Sequence, residues 1–188
     1  MCNTSIVKEE EPCLTGIGTE PSFAIGQRAQ LVQTAQGNVL WESLSVVDDA
    51  GLEAIRARGG LAAIAISHPH YYSSMIEWSQ AFGGVPIYLH AAERQWVMRP
   101  DPAIVFWEGE THPLLGGLTL IRCGGHFEGA QVLHWPAGAV RRIAQAIEPF
   151  TYDRIYSARF DRTVLSGARE AMSRSVSRYL GAIAVFGT

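Results

Sequence analysis

The sequence predicts an α/β fold. Three observations carry that prediction: continuous apolar runs without alternation, helix-capping signals between them, and a hairpin pattern ahead of them. With 188 residues and 47% hydrophobic content, the chain can bury the core such a fold needs. Residues 1–22 mix charge, proline, glycine and threonine without a period. They are expected to be a loosely ordered arm outside the core, which leaves residues 23–188 as a single domain.

The elements follow in order. RAQLVQTAQGNVLWES reads as two short strands around Gln36-Gly37-Asn38, where glycine and asparagine give the backbone freedom for a turn. Asp48 or Asp49 can cap a short helix carrying Leu52 and Ile55, and Gly59-Gly60 stops it. LAAIAIS is an unbroken apolar run, as expected of a strand covered on both faces. Ser74-Met75-Ile76-Glu77 matches a capping box opening a helix that ends at Gly83-Gly84.

VPIYL predicts a second buried strand, AAERQWV a short helix, GLTLIRC a third strand and AQVLHW a fourth. VRRIAQAIEPF sets Val140, Ile143, Ala144 and Ile147 on one helical face, and YDRIYSA reads as a final strand. In the last segment, AREAMSRSVSRYLGAIA, an apolar stripe of Met172, Val176, Tyr179, Leu180 and Ile183 lies opposite Arg169, Arg174 and Arg178. That pattern is a core-packing amphipathic helix with a solvated arginine face.

Charge and composition exclude several classes of partner. A formal net charge of -3, with no cluster of lysine or arginine beyond Arg141-Arg142, argues against nucleic acid. Three cysteines, Cys2, Cys13 and Cys123, are odd in number and irregularly spaced, so neither a disulfide framework nor a cysteine-rich zinc site can be read from them. The N-terminus carries three consecutive glutamates where a secretory signal would need an apolar core, and no apolar run approaches a membrane span. The expectation is a soluble cytoplasmic protein that acts on a small molecule.

The chemistry is concentrated at the strand ends. His68 and His70, separated by Pro69, follow LAAIAIS, and His126 follows GLTLIRC after Gly124-Gly125. Loops at the carboxyl ends of strands are where open α/β sheets place their sites. Imidazole nitrogens suit zinc, and three protein ligands with one open position is the catalytic form of a zinc site. A His-x-His by itself also occurs as two neighbouring loop histidines.

ISHPHYYSSMIEW, PIYLHAAE and LIRCGGHFEGAQVLHW together resemble the metallo-β-lactamase fold superfamily, over roughly residues 24 to 184. In that superfamily a strand runs into a His-x-His-x-Asp-His motif, and a later strand ends in a Gly-His loop. The resemblance implies an αββα sandwich and assigns His68, His70 and His126 to the first metal site. It implies a hydrolase of esters, thioesters, amides or phosphodiesters that uses one or two metals, commonly zinc.

The chain also departs from that pattern. Tyr72 and Ser73 stand where the motif has Asp and His, so the ligands of a second metal are missing. Only Ala137-Gly138-Ala139 separate HWP from the helix at Val140, which removes the segment holding a bridging Asp and shortens the sandwich in its second half. Asp161 follows YDRIYSA where the family usually has a last histidine; it is a replacement ligand or general base, or a surface carboxylate paired with Arg159 or Arg162.

The expected function is hydrolysis with one metal ion, zinc first and iron or manganese as alternatives. Tyr71 or Tyr72 would serve as hydrogen-bond donor to the developing oxyanion. The competing expectation is a catalytically inactive relic of the fold acting as a binding or assembly module, whose exposed sheet edges a homodimer would cover. His90 is expected near the site without binding metal, His134 as a packed sheet residue and His112 on the surface. Trp78, Trp96 and Trp107 are core aromatics or the walls of a pocket mouth.

Overall fold

The computed structural model describes residues 3–11, 13–23, 25–135, 148–149, 151–156, 163–164 and 166–186. The chain divides into two units, Met1–His134 and Trp135–Thr188, each described by itself.

The first unit is built on a seven-stranded sheet whose spatial order is the chain order. Its strands are β1 (Thr4–Glu11), β2 (Leu14–Glu20), β3 (Ala29–Thr34), β4 (Gly37–Trp41), β5 (Ala63–Ala65), β6 (Ile87–His90) and β7 (Ile104–Trp107). Neighbours from β1 to β4 pair antiparallel, and from β4 to β7 parallel. The change from antiparallel to parallel matches the sequence: a hairpin pattern first, then unbroken apolar runs. Ala63, Ile64, Ala65 and Ile66 are all buried, as a central parallel strand requires.

Residues 4–20 do not form the loose arm expected from their composition. Ile17 is buried in the core beside Leu31 and Leu40. One charge of this segment is turned inward: Glu10 pairs with the buried Arg28 guanidinium. Gly16 lies against it, where a Cβ would come 2.5 Å from Arg28 Nη2, so any larger residue would have to displace the guanidinium.

Helix α1 (Asp49–Arg56) is capped by Asp48, whose Oδ1 accepts from Gly51 N–H at 3.1 Å. The same carboxylate accepts from Ser5 N–H at 2.8 Å, tying β1 to the helix start. Helix α2 (Met75–Ala81) begins where the capping box was expected, but the box does not form. Ser74 Oγ donates instead to Ser45 O at 2.9 Å, and Glu77 pairs with Arg99 at 2.7 Å. Both side chains found tertiary partners. Trp78 of α2 is 1% exposed and donates its Nε1–H to Leu44 O at 2.9 Å, fixing the helix on the sheet.

A second sheet of three strands, β8 (Thr111–Pro113), β9 (Thr119–Arg122) and β10 (Gln131–His134), is antiparallel throughout in the order β10-β9-β8. GLTLIRC and AQVLHW are therefore strands, as predicted, although they belong to this second sheet. His112, expected on the surface, sits in β8 with its ring stacked on Trp107 at 5.7 Å between centroids.

In the second unit, β11 (Ile155–Tyr156) and β12 (Thr163–Val164) pair antiparallel, and α3 (Ala168–Phe186) covers the predicted terminal helix. Met172 and Val176 are half-buried while Arg169 and Arg174 are exposed, which matches the predicted faces. The helix expected over Val140 to Ile147, and Asp161, lie outside the described residues. Among the described residues, no helix is long and apolar enough to cross a membrane.

Candidate metal centre

His68 leaves β5 in extended backbone, and Pro69 then opens a single 3-10 turn over Pro69–Tyr71. Proline suits the first position of such a turn, since its missing N–H would have had no partner there. The turn is held from below: Gln27 Nε2 donates to His70 O at 2.7 Å and Ser43 Oγ to Tyr71 O at 2.6 Å. Both donors come from loops flanking the β3-β4 hairpin, so the hairpin sets the height of the two histidines.

His126 arrives on a loop between β9 and β10. Gly124 and Gly125 adopt φ values of +63° and +122°, which the sharp reversal needs and which side chains with a Cβ resist. The N–H groups of Cys123 and Gly124 both donate to Ala130 O, at 2.8 and 3.0 Å. Two further bonds dock the loop on its neighbours. Gly129 N–H donates to Oε1 of the buried Glu93, and Gln131 N–H donates to Ser67 O at 3.0 Å.

The result is a cluster of three imidazoles. One ligand nitrogen from each of His68, His70 and His126 falls within 4.8 Å of the others. The ring of His68 lies 4.9 Å from that of His70 and 4.8 Å from that of His126. His68 Nε2 approaches His70 Nδ1 at 3.2 Å. Phe127 packs against all three rings, at 5.7, 5.2 and 4.7 Å between centroids. Burial, reinforced by the charges His70 and His126 would carry, holds the His68 pKa down to about 4. That ring is therefore neutral at physiological pH.

The donor set fits a borderline metal. Three neutral nitrogens brought together by two separate loops can hold a zinc ion with one position open. Among the described residues, no carboxylate or thiol joins this cluster.

Tyr72 comes next to the cluster. Its hydroxyl is buried and has no hydrogen-bond partner. Burial first, then the nearby Glu93 and Glu42, raise the phenol pKa, so the group keeps its proton. Tyr72 and His70 line one cavity of about 300 Å³, whose walls include Trp96 and Met98 and which Arg99 borders. Of the three tryptophans considered, only Trp96 reaches this opening; Trp78 and Trp107 are buried.

His90 does not face the cluster as a ligand. Its Nδ1 accepts from Ala92 N–H at 3.2 Å, so its Nε2–H donates to Gly109 O at 3.0 Å, and its ring meets Trp107 edge-on. His134, in β10, is half-buried, and its burial lowers its pKa.

Two buried acids near the site were not singled out from the sequence. Glu42 follows β4, is 7% exposed, and accepts from Ser67 N–H at 3.1 Å. Burial pushes its pKa up to about 8. Glu93 is 1% exposed. The available signal was an acid directly after a buried strand in VLWES, where no charge belongs without a partner.

No family model matches the chain. It is 39% identical to the uncharacterized protein YmaE of Bacillus subtilis (strain 168), over 95% of this chain and 78% of that protein. Among solved structures, DIM-1 metallo-β-lactamase aligns with a TM-score of 0.58 at 14% identity, covering 72% of this chain and 67% of that one. A metallo-β-lactamase from Pontibacter korlensis aligns with a TM-score of 0.56 at 19% identity, covering 71% and 67%. The partial coverage accords with the internal shortening expected from the short segment after HWP.

Proposed function

The chain belongs to the family of YmaE and has the metallo-β-lactamase fold, and from that premise we propose that it is a hydrolase working with one metal ion held by His68, His70 and His126. The observation that carries this reading is the convergence of three imidazole nitrogens, from two separate loops, within 4.8 Å. Zinc is the ion the all-nitrogen donor set favours, with iron or manganese as the alternatives to be tried. Bound there, zinc supplies Lewis acidity to a carbonyl or phosphoryl oxygen and brings the pKa of a water molecule to about 7.

The chain's own residues divide the remaining work. His68, held neutral by its burial, offers a nitrogen without first losing a proton. Tyr72 keeps its proton and directs an unused donor, so it is the group for negative charge developing on the substrate oxygen. Trp96 and Met98 give the cavity an apolar wall for the non-reacting part of a substrate. The substrate class is an ester, thioester, amide or phosphodiester of a small molecule. Cys13 and Cys123 are free and exposed, which fits a reducing cytoplasm.

The test starts from protein purified without a histidine tag, with bound metal measured by elemental analysis in wild type and His126→Ala. About one zinc per chain, lost in the variant, is expected; wild-type protein that takes up no zinc, iron or manganese would sink the reading. A second reading, a binding module without catalysis, is favoured by the lack of any carboxylate in the described cluster to act as general base. A metal-loaded protein that leaves a panel of ester, thioester, amide and phosphodiester substrates untouched would select it.

A further inference from the structure

The cavity of about 300 Å³ that His70 and Tyr72 border owes much of its remaining lining to apolar side chains: Pro69, Met75, Trp96 and Met98. Two of these stay open to solvent, Trp96 at 49% exposure and Met98 at 86%. Single exposed apolar residues are ordinary on a protein surface, but an aromatic ring and a thioether on one cavity form a patch that gains from being covered. The Trp96 ring is also held in place. It meets Phe127 edge-on at 5.6 Å, and Phe127 in turn packs on all three imidazoles, so apolar surface runs from the cavity wall to the three-histidine cluster.

The polar groups of the lining have partners of their own. Arg99 carries the permanent charge at the border, and its Nη2 donates to Oε2 of Glu77 on α2 at 2.7 Å. The Ser73 hydroxyl is hydrogen-bonded to that of Ser45 at 2.9 Å. Phosphate groups are held by arginine, lysine or converging N–H donors free to meet them. Among the described residues of this lining, the cation that could do so is already neutralised by an acid.

We propose that this cavity binds an uncharged hydrocarbon substituent, so that the substrate is a carboxyl ester, thioester or amide bearing an alkyl or aryl group and not a phosphodiester. The chemistry rests on the hydrolase reading of the three histidines; the choice of group rests on the cavity. In hydrolysis, water gives its hydroxide to the acyl carbon and its proton to the departing oxygen, sulfur or nitrogen, and the hydrocarbon can stand on either side of the bond that breaks. A volume of about 300 Å³ is at the small end for pockets that hold organic ligands, which suits a short or medium chain.

Binding is read without turnover. Metal-free protein is titrated with acetamide, butanamide, hexanamide and octanamide, and the indole signal of Trp96, assigned with Trp96→Phe, is followed by nitrogen-15 NMR. Affinity is expected to rise by up to about fourfold per methylene until the cavity is full. Diethyl phosphate at the same concentrations should leave the signal in place. Met98→Ser, at the most exposed apolar residue of the lining, should flatten the dependence on chain length. Val132→Ser, at a β10 residue 45% exposed and outside the lining, should not. Turnover by zinc-loaded protein then locates the group, by comparing p-nitrophenyl esters of lengthening acids with acetate esters of lengthening alcohols.

A Trp96 signal indifferent to chain length overturns the proposal, whether or not the protein takes up zinc. So does a chain-length dependence that Met98→Ser leaves intact, or diethyl phosphate binding as tightly as hexanamide. A chain-length dependence in protein that takes up no zinc, iron or manganese supports the alkyl site and removes the hydrolase reading instead.

Discussion

Trp107 on β7 donates its indole N–H to Oε1 of Gln131 on β10 at 2.7 Å, a buried bond between the seven-stranded sheet and the three-stranded one. The Gln131 amide is used completely. Its Nε2 donates to Ile66 O at 2.7 Å, just past β5, and to Tyr88 O at 3.1 Å, within β6.

Replacing Gln131 with leucine keeps the volume but strands the Trp107 N–H and the Ile66 carbonyl in a buried place, while Tyr88 O keeps its bond from Ile66 N–H. Each unpaired group costs about 1 to 3 kcal/mol, so Gln131→Leu should lower stability by on the order of 3 kcal/mol. Urea unfolding checks this; a loss below about 1 kcal/mol would mean that water reaches these groups.

Tyr72→Phe should separate stability from activity. Removing a buried hydroxyl with no partner should raise stability by about 1 kcal/mol. If that hydroxyl serves the developing oxyanion, hydrolysis should fall about 100-fold with zinc content unchanged. Thermal melts and turnover on the same preparation read both.

Glu42 makes stability depend on pH. Burial raises its folded pKa to about 8 from a reference of 4.5, so the folded protein holds a proton that the unfolded chain has already lost. The contribution is present in full below about pH 4.5 and is lost as pH rises through about 8, a total on the order of 5 kcal/mol. Urea midpoints across that range should fall in wild type and stay flatter in Glu42→Gln.

Gly129→Ala should disturb the three-histidine cluster from a distance. A Cβ there would sit 2.8 Å from Glu93 Cγ and 2.9 Å from His90 Nδ1, and both side chains are buried and tied down. The loop carrying His126 must move instead. A loss of about 1 to 3 kcal/mol is expected, with weaker zinc uptake in the folded fraction; unchanged zinc affinity would show that His126 is placed without this dock.

The three histidines were legible because each follows an apolar strand, and a strand end is a fixed place in a fold. Their partners were harder to see. Ser67 and Glu42 look like any serine after a strand and any acid after a hairpin, and only the parallel pairing of β4 with β5 brings them together. Period and composition also misled over residues 4–20, because Glu10 pairs with the buried Arg28, which lies farther along the chain, while most of the other charges of the segment stay on the exposed side of its strands. The Ser74–Glu77 box failed for the same reason: both side chains had better partners in three dimensions than in sequence. IVFW was not read as a strand, since four residues are too few to show a period.

The seven strands of the main sheet lie side by side in the order in which they are synthesised. Each pairing therefore closes a short stretch of chain, and loop-closure cost stays low at every step. A nascent chain can extend this sheet strand by strand from its N-terminal edge, with His68 and His70 in position before His126 has been translated. The three-histidine cluster is then complete only at the end of assembly of the first unit, since His126 arrives only when β9 and β10 have formed.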